Sequence, residues 1–208
     1  MKRELLGGLF ALFLLLSIEN GYAQQKKEIY DSKAPVVWLG LDFSQLKVIN
    51  ENTSNKEIEI TIPKWNNLIV NEPKKYDLAE AFDKDKVEIR IEKSMDLNEK
   101  IENNDFVSKK STDYNRLKQS DIEKVAKMYQ TGKNETGILM IVEAFDKSRE
   151  SGAVWVTYVN LADGSVILTS RMEGKAGGFG LRNYYAAVIN KILKAWPDEL
   201  KDMKKKKK

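Results

Sequence analysis

The run Ile138 to Phe145 (ILMIVEAF) constrains this chain more than any other feature. It is long enough for a strand and too apolar to leave a face in water, so it reads as a buried strand. Two further strand-length runs follow it, Ala153 to Leu161 and Ser165 to Met172, joined at Asp163-Gly164. Asp-Gly supplies the positive φ values that tight hairpin turns require. Upstream, Pro35 opens a run of the same buried type, Val36 to Phe43. Val87, Ile89 and Ile91 alternate with Glu88, Arg90 and Glu92, the pattern of a strand with one wet face.

Helical spacing fills the intervals. Trp65, Leu68 and Ile69 recur at that spacing, and Tyr76, Ala79 and Phe82 repeat it after Pro73, which predicts a helical pair from about Ile62 to Asp83. Asn50 to Lys56 has loop composition. Ser120-Asp121-Ile122-Glu123 matches a capping box ahead of an apolar stripe of Ile122, Val125, Ala126 and Tyr129, and Gly132 can close that helix. A last helix carries Tyr185, Val188, Ile189, Ile192 and Trp196 on one face, with Pro197 after it. The polar stretch Lys93 to Gln119 is longer than most loops and leaves room for a short helix. The order β-α-α-β-α-β-β-β-α predicts an α/β (α+β) fold: a single mixed sheet of about five strands with helices packed against it.

Outside that core the chain divides by composition. Met1, Lys2 and Arg3 precede an apolar run, Leu5 to Leu16, that is short for a bilayer span, and Gly21-Tyr22-Ala23 places small residues before Gln24. This is the layout of a cleavable secretory signal peptide over 1–23. It is followed by a flexible lead-in, 24–34, the α/β domain, 35–197, and a basic tail, 198–208. No later segment is long and apolar enough to span a membrane, so the expected location is the periplasm or the exterior.

Cysteine and histidine are both absent. Their absence removes cysteine nucleophiles, His-dependent triads and His/Cys metal sites, and it forbids a lipid-modified cysteine after the leader. No cofactor or metal is expected. Carboxylate, Ser–Lys and oxygen-ligand chemistry stay open. The formal net charge of +4 is carried by the terminal lysines, Lys204, Lys205, Lys206, Lys207 and Lys208. A basic tail of this kind argues against nucleic-acid binding by the folded surface and offers an electrostatic contact to an anionic surface.

Ser120 to Tyr129, Gly152 to Gly174 and Arg182 to Trp196, with Val36 to Phe43 as a first strand, carry a resemblance. In that order of capped helix, buried strand, hairpin, glycine-rich bend and final helix, the chain resembles the α/β domain of a group of Gram-negative envelope proteins. The group comprises the curli-secretion lipoprotein, the lipoprotein activators of penicillin-binding proteins and the N-terminal domain of TolB. Members build pores, activate synthases or bridge complexes without being enzymes. The resemblance therefore implies an exported accessory protein that binds another envelope protein.

The candidate sites are few. Asp42 and Ser44 close the first strand, where open α/β sheets place ligands; Asp42 can equally cap a local turn. Gly174, Gly177, Gly178 and Gly180 precede the last helix with Arg182 beside them, which suits either an anion or a plain bend, without a phosphate-loop Gly-Lys-Ser/Thr. Glu143 on a buried strand calls for a basic partner, or else a raised pKa for carboxylate chemistry. Trp65, Trp155, Trp196, Tyr184 and Tyr185 fit core packing better than a sugar platform, because they lie on apolar stripes. Besides the protein-binding reading, two others stay open: a small-ligand or glycan-binding module, and a carboxylate-dependent hydrolase.

Overall fold

A computed structural model describes residues 25–101 and 105–206. The leader expected over 1–23 lies outside these residues, as do Lys207 and Lys208. The fold is mixed α/β on one sheet of seven strands. In chain order these are β1 (Val36–Asp42), β2 (Lys47–Ile49), β3 (Val87–Ile89), β4 (Val107–Ser108), β5 (Thr136–Asp146), β6 (Ser151–Asn160) and β7 (Val166–Lys175). The helices are α1 (Asn55–Asn71), α2 (Leu78–Phe82), α3 (Glu92–Glu99), α4 (Gln119–Lys127) and α5 (Leu181–Lys205), with a 3₁₀ turn at Ser111–Asn115.

β5 is the spine. One of its edges pairs antiparallel with β6 from Thr136 to Asp146, and β7 adds antiparallel beyond β6. The other edge is shared by two parallel strands: β1 lies along 137–141 and β2 along 144–146. β3 extends β1 and β4 extends β2, both in parallel. The five expected strands are present, and the two additional ones, β2 and β4, are three and two residues long. Neither shows the sustained apolar–charged alternation of Val87 to Glu92, of which Val87–Ile89 form β3 and Ile91 instead caps α3.

Helices cover both faces. On one face α1, α2 and α5 close the larger core, in which Phe43 stacks on Trp65 with centroids 5.3 Å apart and Phe82 meets Trp196 edge-on at 6.5 Å. On the other, Ile122, Val125 and Ala126 of α4 and Tyr129 just past its end lie over Val37, Leu39, Leu139 and Ile141. Burial on both faces accounts for the uninterrupted apolar character of β5.

Gly40 sets which residue of β1 meets which face. Its φ is +96°, and the register with β5 slips between Trp38 and Gly40. Strict alternation would send positions 38, 40 and 42 the same way. With the bulge at Gly40, Trp38, Leu41 and Phe43 enter the larger core instead, and the Asp42 side chain turns toward α4. A Cβ at position 40 would sit 2.6 Å from Ser94 Oγ and 2.7 Å from Asn66 Oδ1.

Several boundaries differ from the sequence reading. α1 begins at Asn55, because Ser54 caps it by accepting from Glu57 N at 3.2 Å; Pro63 sits inside the helix. α2 is capped by Asp77 and not opened by Pro73. The polar stretch Lys93 to Gln119 holds most of α3, which begins at Glu92, together with β4 and the 3₁₀ turn. Lys118 N donates to Asp121 at α4, so the capping pair is two residues earlier than Ser120 and Glu123. The turn between β6 and β7 is longer than two residues, with positive φ at Gly164 alone. Residues 25–34 are a packed approach and not a flexible lead-in: 25–28 form a helical turn, Ile29 is 1% exposed, and Lys84 Nζ donates to Glu28 O and Asp31 O at 2.8 and 2.6 Å. Likewise α5 runs through Pro197 to Lys205, so 198–205 continue the helix and are not a separate tail. Leu200 is 4% exposed and Met203 packs on the core, and that burial outweighs the hydrogen bond that proline removes.

Candidate functional site

Asp42 lies at the break where the chain leaves β1 and re-enters the sheet as β2. Beyond β3 the outer edge of β1 has no strand, and two buried asparagines take its place. Asn66 of α1 accepts from Leu41 N at 2.7 Å and donates to Leu41 O at 2.9 Å. Asn98 of α3 donates to the same carbonyl at 2.9 Å and accepts from Phe43 N at 2.8 Å. Backbone groups in a dry interior need such partners. The Asp42 carboxyl is fully buried and accepts from Tyr129 OH at 2.7 Å, Ser44 Oγ at 2.5 Å and Ser44 N at 2.9 Å. Burial raises its pKa, partly offset by the hydrogen bonds from Ser44 and Tyr129. No cation is paired with it among the described residues. This arrangement ties α4 to the β1–β2 break and closes a local turn.

Glu143 anchors a second cluster. The β5–β6 register slips at this residue, which turns its carboxylate toward the segment before α4. Fully buried, it accepts from Arg116 N at 2.7 Å, Leu117 N at 2.8 Å, Trp155 Nε1 at 3.1 Å and Arg171 Nε at 2.8 Å. Arg171 also donates to Tyr114 O at 2.6 Å and to Glu173 Oε1 at 2.7 Å. Arg116 turns back on the backbone, donating to Asp113 O, Glu143 O and Gln45 O. Every oxygen of Glu143 is therefore engaged by a structural donor. The basic partner expected from sequence is Arg171, and Arg116 is the member that sequence gave no means to find.

The glycine bend lies elsewhere. Gly177 N donates to Tyr184 O at 2.9 Å, and Ala176 N donates to Glu150 O at 2.8 Å, which pins the bend to the turn between β5 and β6. Gly178 and Gly180 hold φ of +103° and +78°. Arg182 contributes its carbonyl to Trp65 Nε1 at 2.8 Å, and its guanidinium donates to Asn183 Oδ1 at 3.1 Å. Gly174 is committed to packing, since a Cβ there would sit 2.4 Å from Val188 O. Asp42 and Ser44 thus serve the α4 face and the glycine bend the α5 face, and among the described residues no hydrogen bond or ion pair joins them. They do not form one pocket. Trp65, Trp196 and Tyr185 are core residues, and Trp155 is committed to Glu143.

A cleft of about 1180 Å³ opens at the other end of the parallel strands, where β1, β3 and β5 begin. Its floor is Pro35, Val36 and Val37, and its rim carries Lys33, Asp85 and Lys86. Arg90 bridges the rim, donating to Glu135 at 2.8 and 2.9 Å and pairing with Glu88 at 2.8 Å. Those hydrogen bonds hold the Glu135 pKa down, in spite of partial desolvation, and raise that of Arg90. β3 borders the cleft through Glu88 as the end strand of its side of the sheet, and the neighbouring Ile89 is 40% exposed. Sequence reasoning passed over this region because it favours strand C-termini. The one available signal was the dense mixed charge of Asp83 to Glu92 beside a strand.

Among the described residues no group of acidic side chains is placed to hold a metal ion, and no helix is long and apolar enough to cross a membrane. Compared with family models, curated proteins and solved structures, the chain matches none.

Proposed function

We propose that the protein is exported into a bacterial envelope and acts there, without catalysis, as an accessory that binds a segment of another envelope protein in the cleft beside β3. The cleft carries this reading. Its volume exceeds the roughly 300–1,000 Å³ of small-molecule sites. Charges of both signs surround an apolar floor, and an end strand with free pairing capacity runs along it. An extended polypeptide satisfies all three features, adding to the edge of β3 through its backbone and answering the rim with its side chains. Saturation of Asp42 and Glu143 by structural donors supports the non-catalytic part. The leader pattern and the resemblance to the envelope domain group support the location.

The test is a photo-crosslinking residue placed at Lys86 or Ile89 in intact cells of the source bacterium. A discrete protein adduct from both positions, lost on Ile89→Asp, is the expected result. No discrete adduct from either position, or fractionation of the chain to the cytoplasm, would overturn the proposal.

A further inference from the structure

At the end of the sheet remote from the cleft, Phe179 is 95% exposed. It is the most exposed large apolar side chain among the described residues, and its presentation is built in. Positive φ at Gly178 and Gly180 on either side turns the chain outward, and no side chain packs against Gly177 or Gly180. Both ends of the bend are pinned, by Ala176 to Glu150 and by Gly177 to Tyr184. A tethered loop that points an aromatic ring at solvent spends apolar area that folding would otherwise bury.

The ring stands among cations. Lys175 closes β7 opposite Ser151, and neither it nor the exposed Arg182 has an acidic partner among the described residues. Lys147, from the adjacent β5–β6 turn, lies 3.7 Å from the centroid of the Tyr184 ring and 4.0 Å from Glu51, and Arg149 of the same turn is half-exposed. Of the acids nearby, Asp146 is buried and held by Arg149, and Glu51 accepts from Tyr185; Glu173 is half-exposed but bound by Arg171, and Glu150 faces water.

We infer that this end of the molecule docks on an anionic phospholipid surface, with Phe179 inserted at the headgroup level and Lys147, Lys175 and Arg182 in contact with lipid phosphates. An aromatic ring ringed by lysine and arginine matches a bilayer interface in both apolar depth and charge. The Lys204–Lys206 segment is at the opposite end of α5, where Lys204 lies over Tyr30, and takes no part.

The chain from Gln24 onward contains both hydrophobic cores and is the protein to use. Its co-sedimentation is measured with vesicles of phosphatidylcholine alone and of phosphatidylcholine with phosphatidylglycerol. Binding is expected to the anionic vesicles only and to fall at high salt. Phe179→Ala should weaken it by about tenfold or more, and Lys175→Glu with Arg182→Glu by a similar factor. Phe179→Trp places a fully exposed indole beside native tryptophans that are buried or half-buried, so its emission should shift to the blue on anionic vesicles. Equal binding to both vesicle types, or wild-type binding by both the Phe179→Ala and charge-reversed variants, overturns the inference. So does a protein adduct formed through position 179 by a chain that ignores vesicles, an outcome that assigns the loop to a protein socket.

Discussion

Arg171→Met tests how far the second face of the sheet depends on one ion pair. The substitution keeps the length of the aliphatic stem and deletes the guanidinium, leaving the Glu143 carboxylate with Arg116 N, Leu117 N and Trp155 Nε1 but no cation on its oxygens. Breaking a buried pair costs about 3–5 kcal/mol when nothing else compensates. Three neutral donors remain and Arg116 stays close, so about 2–3 kcal/mol is expected here. The Arg171 side chain is only 18% exposed, and solvent screening takes little from this figure. In urea, with a slope of about 2 kcal/mol/M, the unfolding midpoint should drop by roughly 1–1.5 M. Adding Glu143→Gln removes the stranded charge and should return at least about 1 kcal/mol, a coupling that marks direct contact. A single-variant loss below about 1 kcal/mol, or strict additivity in the pair, would refute the reasoning.

Other expectations follow from the same geometry. Asp42 has a raised folded-state pKa, so its contribution to stability is fully present below the unfolded value of about 3.9 and is lost as pH rises through the folded value. Melting curves from pH 4 upward should show wild type losing stability relative to Asp42→Asn, and parallel curves would contradict this. Gly40→Ala combines a disfavoured positive φ with contacts of 2.6 and 2.7 Å, and denaturant titration should register a loss of about 2–4 kcal/mol. Asn98→Ala leaves Phe43 N–H without its acceptor and should cost about 1–3 kcal/mol by the same assay. Ending the chain after Pro197 uncovers core against which Leu200 and Met203 pack and should lower the melting temperature by several degrees, whereas an unchanged melt would restore the view of 198–208 as a tail.

Much of the fold was legible because apolar runs and stripes report burial directly. Val36–Phe43, Ile138–Phe145, the β6–β7 pair and the faces of α4 and α5 follow from which residues must avoid water. Glu143 was legible too, since a carboxylate on so apolar a strand demands a partner, although the register slip puts Phe145 on the opposite face from Leu139 and Ile141. What stayed hidden depends on geometry that periodicity does not carry. Asp42 reaches Tyr129 through a bulge at Gly40, and a strand read by simple alternation places it on the wrong face. Ser54 caps α1 inside a segment whose composition says loop. Asn66 and Asn98 look like ordinary helix-surface residues, yet they stand in for a missing strand. The cleft arises from chain segments that begin far apart in sequence and meet only after the sheet is ordered.

α5 connects the two ends of the molecule in a single unbroken rod. Its 25 residues measure about 37 Å. It starts beside the Phe179 loop and finishes against Tyr30, next to the mouth of the cleft. Whatever grips the loop is thereby held at a set stand-off from whatever fills the cleft, and the helix serves as a ruler whose length no domain motion needs to adjust.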